Sequence, residues 1–153
     1  MVNNAEAVII ISLSAMFIAQ VAKFVIDALI NKRLDESILI STGGMPSSHS
    51  ALVTALVISI GLFEISQTGS VGYPFAISLV LALVVVHDSM GIRYEASKHA
   101  RELNLIKLRL NLIENIDVEE KKLKEALGHK PREVLAGVLL GVAVALIGFF
   151  IFR

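Results

Sequence analysis

The stretch that decides the fold runs from Val134 to Phe152 and reads VLAGVLLGVAVALIGFFIF. It has 19 residues and no charged side chain. A helix needs about 20 mostly apolar residues to cross the hydrocarbon core of a bilayer. This stretch therefore predicts a transmembrane helix, and the rest of the chain is interpreted around it.

The composition extends this interpretation to the whole chain. Hydrophobic residues make up 55% of its 153 residues and charged residues 18%, with a mean hydropathy of +0.73. Ordinary soluble domains carry about 25% charged residues, so the composition argues against a soluble enzyme. We predict an all-α integral membrane helix bundle that forms a single domain over residues 1–153. Its four transmembrane helices are expected at about 8–30, 48–63, 73–90 and 132–152.

The basic residues are unevenly distributed between these spans. Of 14 Lys and Arg, ten lie between the third and fourth spans: Arg93, Lys98, Arg101, Lys107, Arg109, Lys121, Lys122, Lys124, Lys130 and Arg132. Lys32 and Arg33 lie between the first and second spans, on the same side of a four-span bundle. The positive-inside rule makes that side cytoplasmic. We expect a protein of the inner or plasma membrane with both termini outside.

Two further patterns concern helix packing. Between the third and fourth spans, Leu103, Ile106 and Leu110 recur at helical spacing, which predicts an amphipathic helical segment at about 95–127. A second short helix is expected to open at Asp117. In the last span, Gly137 and Gly141 have the spacing of a close helix contact. That contact serves either a homodimer or packing within the chain.

The absence of cysteine and the zero net charge limit the cofactors and partners that can be expected. It has no cysteine, which excludes disulfides and thiolate chemistry. Its formal net charge is zero, which gives no reason to expect nucleic acid as a partner. The lipid bilayer is the expected environment.

The densest chemical signal is the motif from Gly43 to Ser50, GGMPSSHS. Glycines and a proline interrupt apolar sequence where a helix should begin. A helix N-terminus binds anions through its free N–H groups and dipole. Ser47 and Ser48 can donate to a phosphate oxygen, and His49 can act as an acid or base. The alternative is an ordinary helix cap beside a buried histidine.

Three other groups of polar residues accompany this motif. Asp88 and Arg93 close the third span, either as a phosphate clamp or as an ion pair. His129 lies four residues before Glu133 at the start of the last span, where a carboxylate can orient an imidazole for nucleophilic attack. The alternative is a helix-capping Glu beside a solvent-facing His. Lys23 lies deep in the first span and either faces the interior or extends to the interface.

All four groups lie at the same end of their spans. A bundle would bring Lys23, His49, Arg93 and His129 towards one pocket. Two histidines, cationic clamps and a helix N-terminus describe a phosphoryl-transfer site. One histidine would attack phosphorus, the other would protonate the leaving oxygen, and water would then hydrolyse the phospho-histidine.

These stretches resemble the divergent branch of the type 2 phosphatidic acid phosphatase superfamily, which is related to vanadium-dependent haloperoxidases and acid phosphatases. The matching segments are 43–51, 88–104 and 127–134. Lys23 matches the first lysine of the superfamily signature, and Pro46-Ser47-Ser48-His49 matches Pro-Ser-Gly-His with one change. His99 follows Arg93 at the family spacing but lacks the aspartate expected at Leu103. His129 with Glu133 has the His–carboxylate spacing, so it is the preferred nucleophile.

The resemblance implies a cofactor-free, metal-independent membrane phosphatase acting on a lipid phosphate or pyrophosphate through a phospho-histidine intermediate. Its implied catalytic residues are His49, Asp88, His129 and Glu133, and its phosphate-binding residues are Lys23, Ser47, Ser48 and Arg93. One alternative is a non-catalytic protein that binds or transports a lipid phosphate. Another is a metal-dependent enzyme with Asp27, Asp88 and Glu133 as ligands. The expected active site faces the cytoplasm.

Overall fold

A computed structural model describes residues 3–31, 44–114, 123 and 128–153. Five helices follow one another: α1 (Asn4–Asn31), α2 (Ser48–Thr68), α3 (Tyr73–Met90), α4 (Ile92–Glu114) and α5 (Pro131–Phe152). No strand occurs in these ranges, so the all-α prediction is confirmed. α1, α2, α3 and α5 are each long and apolar enough to cross a membrane, which agrees with the predicted four-span bundle.

Local sequence explains where the helices begin and end. Before α1, the Asn3 side chain accepts the Glu6 N–H at 2.9 Å, and the Glu6 carboxylate accepts the Asn3 N–H at 3.0 Å. This reciprocal capping starts α1 before the predicted position 8. α2 continues past the predicted residue 63 and ends at Gly69, whose φ of 77° is left-handed. Pro131 opens α5 in the first turn, where its missing N–H has no intrahelical partner to lose.

α2 is the central helix of the bundle. It contacts α1, α3 and α5; α1 also contacts α5, whereas α1 and α3 do not touch within the described ranges. Ala51, Ala55 and Phe63 of α2 pack in one core with residues of α1 and with Ala145 and Phe149 of α5. The rings of Phe63 and Phe149 meet edge to face, 5.2 Å apart. Small side chains allow this close approach, which supplies packing energy where lipid removes the hydrophobic driving force.

The glycines of α5 form the contact with α2. A Cβ atom at Gly137 would overlap the carbonyl oxygen of Ser47, and one at Gly141 would lie 2.6 Å from that of Ala51. Gly137 and Gly141 are both buried inside the chain. Of the two alternatives for these glycines, packing within the chain is the one observed, because α2 of the same chain occupies that face.

α4 differs from the predicted amphipathic segment. It begins at Ile92, with Gly91 alone between it and α3, and continues to Glu114. The second helix predicted at Asp117 lies outside the described residues. Among the described helices, α4 contacts α3. The Asn104 amide also accepts the Leu123 N–H and donates to the Leu123 carbonyl, both at 2.9 Å.

Candidate functional site

The start of α2 is tied directly to the start of α5. Ser47 caps α2: its hydroxyl accepts the Ser50 N–H at 3.3 Å and the Ser50 hydroxyl at 3.0 Å. The Ser47 N–H donates to the Glu133 carbonyl at 3.0 Å. Because Gly137 lacks a side chain, the two helices meet closely enough for this bond. Gly43 of the predicted motif lies outside the described residues, and residues 44–50 lead into a helix N-terminus inside the bundle.

Ser47 and Ser48 are both buried, at 0% and 4% exposure. Of the two, the Ser47 hydroxyl is engaged in capping. Hydroxyl groups and first-turn N–H groups enclosed this way have little competing water, which strengthens their interaction with an anion. Both predicted serines therefore lie at the start of α2, and the Ser47 hydroxyl already caps that helix.

His129 is held on both its backbone and its side chain. Its N–H donates to the Ser89 carbonyl at the end of α3, at 3.1 Å. Its Nδ1 atom lies 3.2 Å from Oε2 of Glu133, which also accepts the Lys130 N–H at 3.2 Å. A carboxylate accepts hydrogen bonds, so this contact favours the tautomer with the proton on Nδ1 and the lone pair on Nε2. This is the orientation expected of a nucleophilic imidazole.

The environment of His129 favours its neutral form. The side chain is 3% exposed, and its Nε2 atom is buried without a hydrogen-bond partner among the described residues. Burial lowers the pKa of His129 below its ordinary 6.5, and the charge of Lys23 adds to this effect. The hydrogen bond and charge of Glu133 oppose it, as does the Gly44 backbone. Burial outweighs them, so the ring is neutral at pH 7.

Lys23 is the cation of this cluster. It lies on the inward face of α1, one turn beyond Ala19, and is 2% exposed. Its aliphatic stem runs along the backbone of Gly44, where a Cβ would lie 3.3 Å from Cδ of Lys23. Gly44 has a φ of 92°, so its backbone also needs glycine. The interior alternative for Lys23 is thus the one observed, and Lys23 reaches both the motif and His129.

The other predicted site residues are placed differently. His49 is exposed. On α2 it lies one turn before Val53, whose row packs against α3, whereas Ser47 and Ser50 face α5. Asp88 is half-buried at the end of α3, and Arg93 lies in the first turn of α4.

The carboxylates proposed as metal ligands are not gathered into a cluster. Over the residues described, no three His, Cys, Asp or Glu side chains come together as a metal site would need. Asp27, Asp88 and Glu133 lie on α1, α3 and α5 respectively.

Sequence reasoning missed three residues that build the cluster. Ser89 anchors the His129 backbone, Ser50 completes the cap of α2, and Gly137 allows the approach of α5. Only Gly137 carried a signal, its spacing to Gly141, and that spacing suggested two possible contact partners. Together the cluster offers a buried cation, a helix N-terminus and a nucleophilic nitrogen, which can bind and attack a phosphoryl group.

Comparisons with known proteins identify the family of the chain. A family model described as the divergent PAP2 family matches residues 4–144. The uncharacterized membrane protein YuiD of Bacillus subtilis (strain 168) is 37% identical over 150 residues, covering 92% of this chain and 92% of that protein. No solved structure matches the chain. The family resemblance predicted from the motifs is confirmed.

Proposed function

The chain belongs to the divergent PAP2 family, and from this premise we propose that it is a membrane phosphatase that hydrolyses a lipid phosphate or pyrophosphate through a phospho-histidine intermediate. The observation that carries the proposal is the state of His129. Its Nδ1 is held by Glu133, and its Nε2 is buried and unpartnered within the described part of the chain. A buried polar atom without a partner costs stability, so its retention favours a role in binding or chemistry.

The chemistry follows from the residues around that nitrogen. Nε2 of His129 attacks phosphorus, an N–P bond forms, and the P–O bond to the lipid breaks with its electron pair leaving on oxygen. Lys23 and the N-terminus of α2 stabilise the negative charge on the non-bridging oxygens. Water then attacks phosphorus and gives a proton to the group that protonated the leaving oxygen, the N–P bond breaks with its electron pair returning to Nε2, and inorganic phosphate leaves.

Glu133 and the general acid that protonates the leaving oxygen each have one role in this mechanism. Glu133 holds the imidazole in the correct tautomer and stabilises the positive charge that develops on it after attack. The leaving oxygen needs a proton, and His49 at the same end of α2 is the proposed donor. We propose that Asp88, at the end of α3, is a further catalytic residue. Arg93, at the start of α4, is proposed to bind phosphate.

A second function is favoured by one observation. His49 is exposed and lies on the row of α2 that packs against α3. Without a proton donor opposite the nucleophile, the same cradle would bind a lipid phosphate and release it unchanged. A non-catalytic binding or transport protein is therefore the alternative.

The proposed orientation rests on the distribution of basic residues. α1, α2, α3 and α5 alternate in direction, so the cluster lies at the end of the bundle that carries the two basic loops. The positive-inside rule makes this the cytoplasmic face of the inner or plasma membrane, with both termini outside.

Phosphate release by purified protein in detergent tests the proposal. A panel of phosphatidic acid, polyprenyl phosphate and polyprenyl pyrophosphate would be offered to the wild type with and without chelator, beside His129→Ala. His99→Ala is the matched control, because His99 is an exposed histidine of α4. Release that survives chelator and His99→Ala but is lost in His129→Ala supports the phosphatase. No release by folded wild-type protein, together with saturable binding of the same lipids, supports the alternative.

A further inference from the structure

We propose that α4 lies in the membrane interface and docks on anionic lipid headgroups through the stripe formed by Leu103, Ile106 and Leu110. The three side chains are 49%, 50% and 39% exposed. At 3.6 residues per turn they fall within about 60° of the helix circumference. A helix of a soluble domain would bury such a stripe in its core, and within the described residues no helix except α3 contacts α4.

The position of α4 in the chain places it next to the membrane. α3 is a candidate span, and only Gly91 separates it from α4, so the first turn of α4 lies where the chain leaves the hydrocarbon core. α4 itself is too highly charged to span. Between residues 95 and 110 it carries six charged side chains: Glu95, Lys98, Arg101, Glu102, Lys107 and Arg109. A helix with exposed apolar side chains and this many charges is typical of one lying in the plane of the interface.

Charge complementarity identifies the lipid class. Of the four basic side chains, Lys98 is paired with Glu95 at 2.7 Å and Arg101 lies on the far side of the helix, which leaves Lys107 and Arg109 beside the stripe. Lys107 and Arg109 flank the apolar stripe on opposite sides of the helix, so they can extend to headgroups while the stripe enters the acyl region. Basic side chains close to a bilayer surface are attracted by anionic lipids.

The remaining sides of α4 show why this stripe is assigned. Asn104 turns towards the backbone of Leu123 and is engaged there by two hydrogen bonds. Leu105 and Leu108, also exposed, form a shorter stripe on the far side that includes Arg101. The longer, uninterrupted stripe of Leu103, Ile106 and Leu110 is therefore the one that enters lipid. The inference does not depend on the proposed phosphatase activity.

The absence of tryptophan from the chain makes the test direct, since a single introduced Trp is the only indole fluorophore. The variants Ile106→Trp and Leu108→Trp would be reconstituted in nanodiscs of phosphatidylcholine, with and without phosphatidylglycerol. Leu83→Trp, on the exposed face of α3, is the reference for a fully lipid-immersed side chain. Emission wavelength and quenching by brominated lipid and by aqueous iodide would be measured for each.

We expect Ile106→Trp to emit at shorter wavelength and to lose more fluorescence to brominated lipid than Leu108→Trp. The shift should grow with phosphatidylglycerol, shrink in high salt and disappear when Lys107 and Arg109 are both changed to Gln. Arg153→Gln, at the opposite end of the bundle, should not alter it. Iodide quenching of Ile106→Trp without lipid quenching overturns the proposal. Protection of this Trp from both quenchers also overturns the proposal if it increases with the number of protein molecules per nanodisc. A second copy of the chain would then cover the stripe.

Discussion

Replacing Gly137 with alanine tests the contact that brings α5 against α2. The new Cβ would overlap the Ser47 carbonyl oxygen and lie 3.0 Å from Cβ of Ser50. The obstacles are backbone and the first atom of a buried side chain, so neither can rotate away. The helices must separate locally, and the bond from the Ser47 N–H to the Glu133 carbonyl, 3.0 Å long, lengthens with them.

The expected cost is the balance of three effects. Overpacking a well-packed contact costs about 1–3 kcal/mol. Weakening one backbone hydrogen bond adds about 1 kcal/mol. Alanine in a helix interior regains about 0.5–1 kcal/mol relative to glycine. The net loss is about 1–3 kcal/mol, and at this chain length each kcal/mol lowers Tm by about 2–4 °C.

The assay compares three variants of α5 by thermal unfolding in one detergent, together with their affinity for orthovanadate as a phosphate analogue. Gly148→Ala meets Cγ1 of the buried Ile11 side chain, so it should also lower Tm, but Gly148 lies near the opposite end of α5 from the site and its affinity should be normal. Ala143→Val is the control, since Ala143 faces outward. Gly137→Ala should lose both Tm and affinity. Wild-type values for both in Gly137→Ala would refute the packing on which the site depends.

Three further predictions concern the charged cluster. Glu133→Gln removes a charge that raises the pKa of His129, so that pKa should fall further. The acid limb of the pH–rate profile should then move to lower pH. An unmoved limb would show that Glu133 does not act on His129. Lys23→Met should weaken orthovanadate binding by about 10–100-fold, because a charge-assisted hydrogen bond is worth about 1.5–3 kcal/mol, and an unchanged inhibition constant would remove Lys23 from the phosphate site. Because the folded-state pKa of His129 lies below its ordinary 6.5, the unfolded state binds more protons between the two values and stability should decline as pH falls below 6.5. His129→Gln should flatten that part of the curve of Tm against pH, whereas an identical slope in the variant would contradict the assignment.

Much of this fold can be predicted because the hydropathy and the order of the spans are read directly along the sequence. Four apolar stretches predict four spans, and alternation of direction then brings Lys23, the motif before α2 and His129 to one end. The His129–Glu133 contact follows from four-residue spacing at a helix start. These features need no knowledge of how any helix is rotated about its axis.

Helix rotation explains what the sequence alone did not predict. α2 is apolar on every side, so nothing in its sequence indicates that Ser47 faces α5 while His49 lies on the row of Val53 towards α3. The same limit applies to Gly137 and Gly141, whose spacing indicates a close helix contact without identifying the partner. The bond from the His129 N–H to the Ser89 carbonyl joins residues 40 positions apart and depends on backbone geometry that side-chain patterns do not encode.

The central claim is that Nε2 of His129 forms a bond to phosphorus. The most direct measurement is rapid quenching of the wild-type protein with a radiolabelled lipid phosphate under alkaline denaturing conditions, followed by peptide mapping of the acid-labile label by mass spectrometry. We expect phosphate on the peptide that contains His129, and none in His129→Ala. Label on His49 or His99, or turnover of lipid phosphate in His129→Ala, would contradict it.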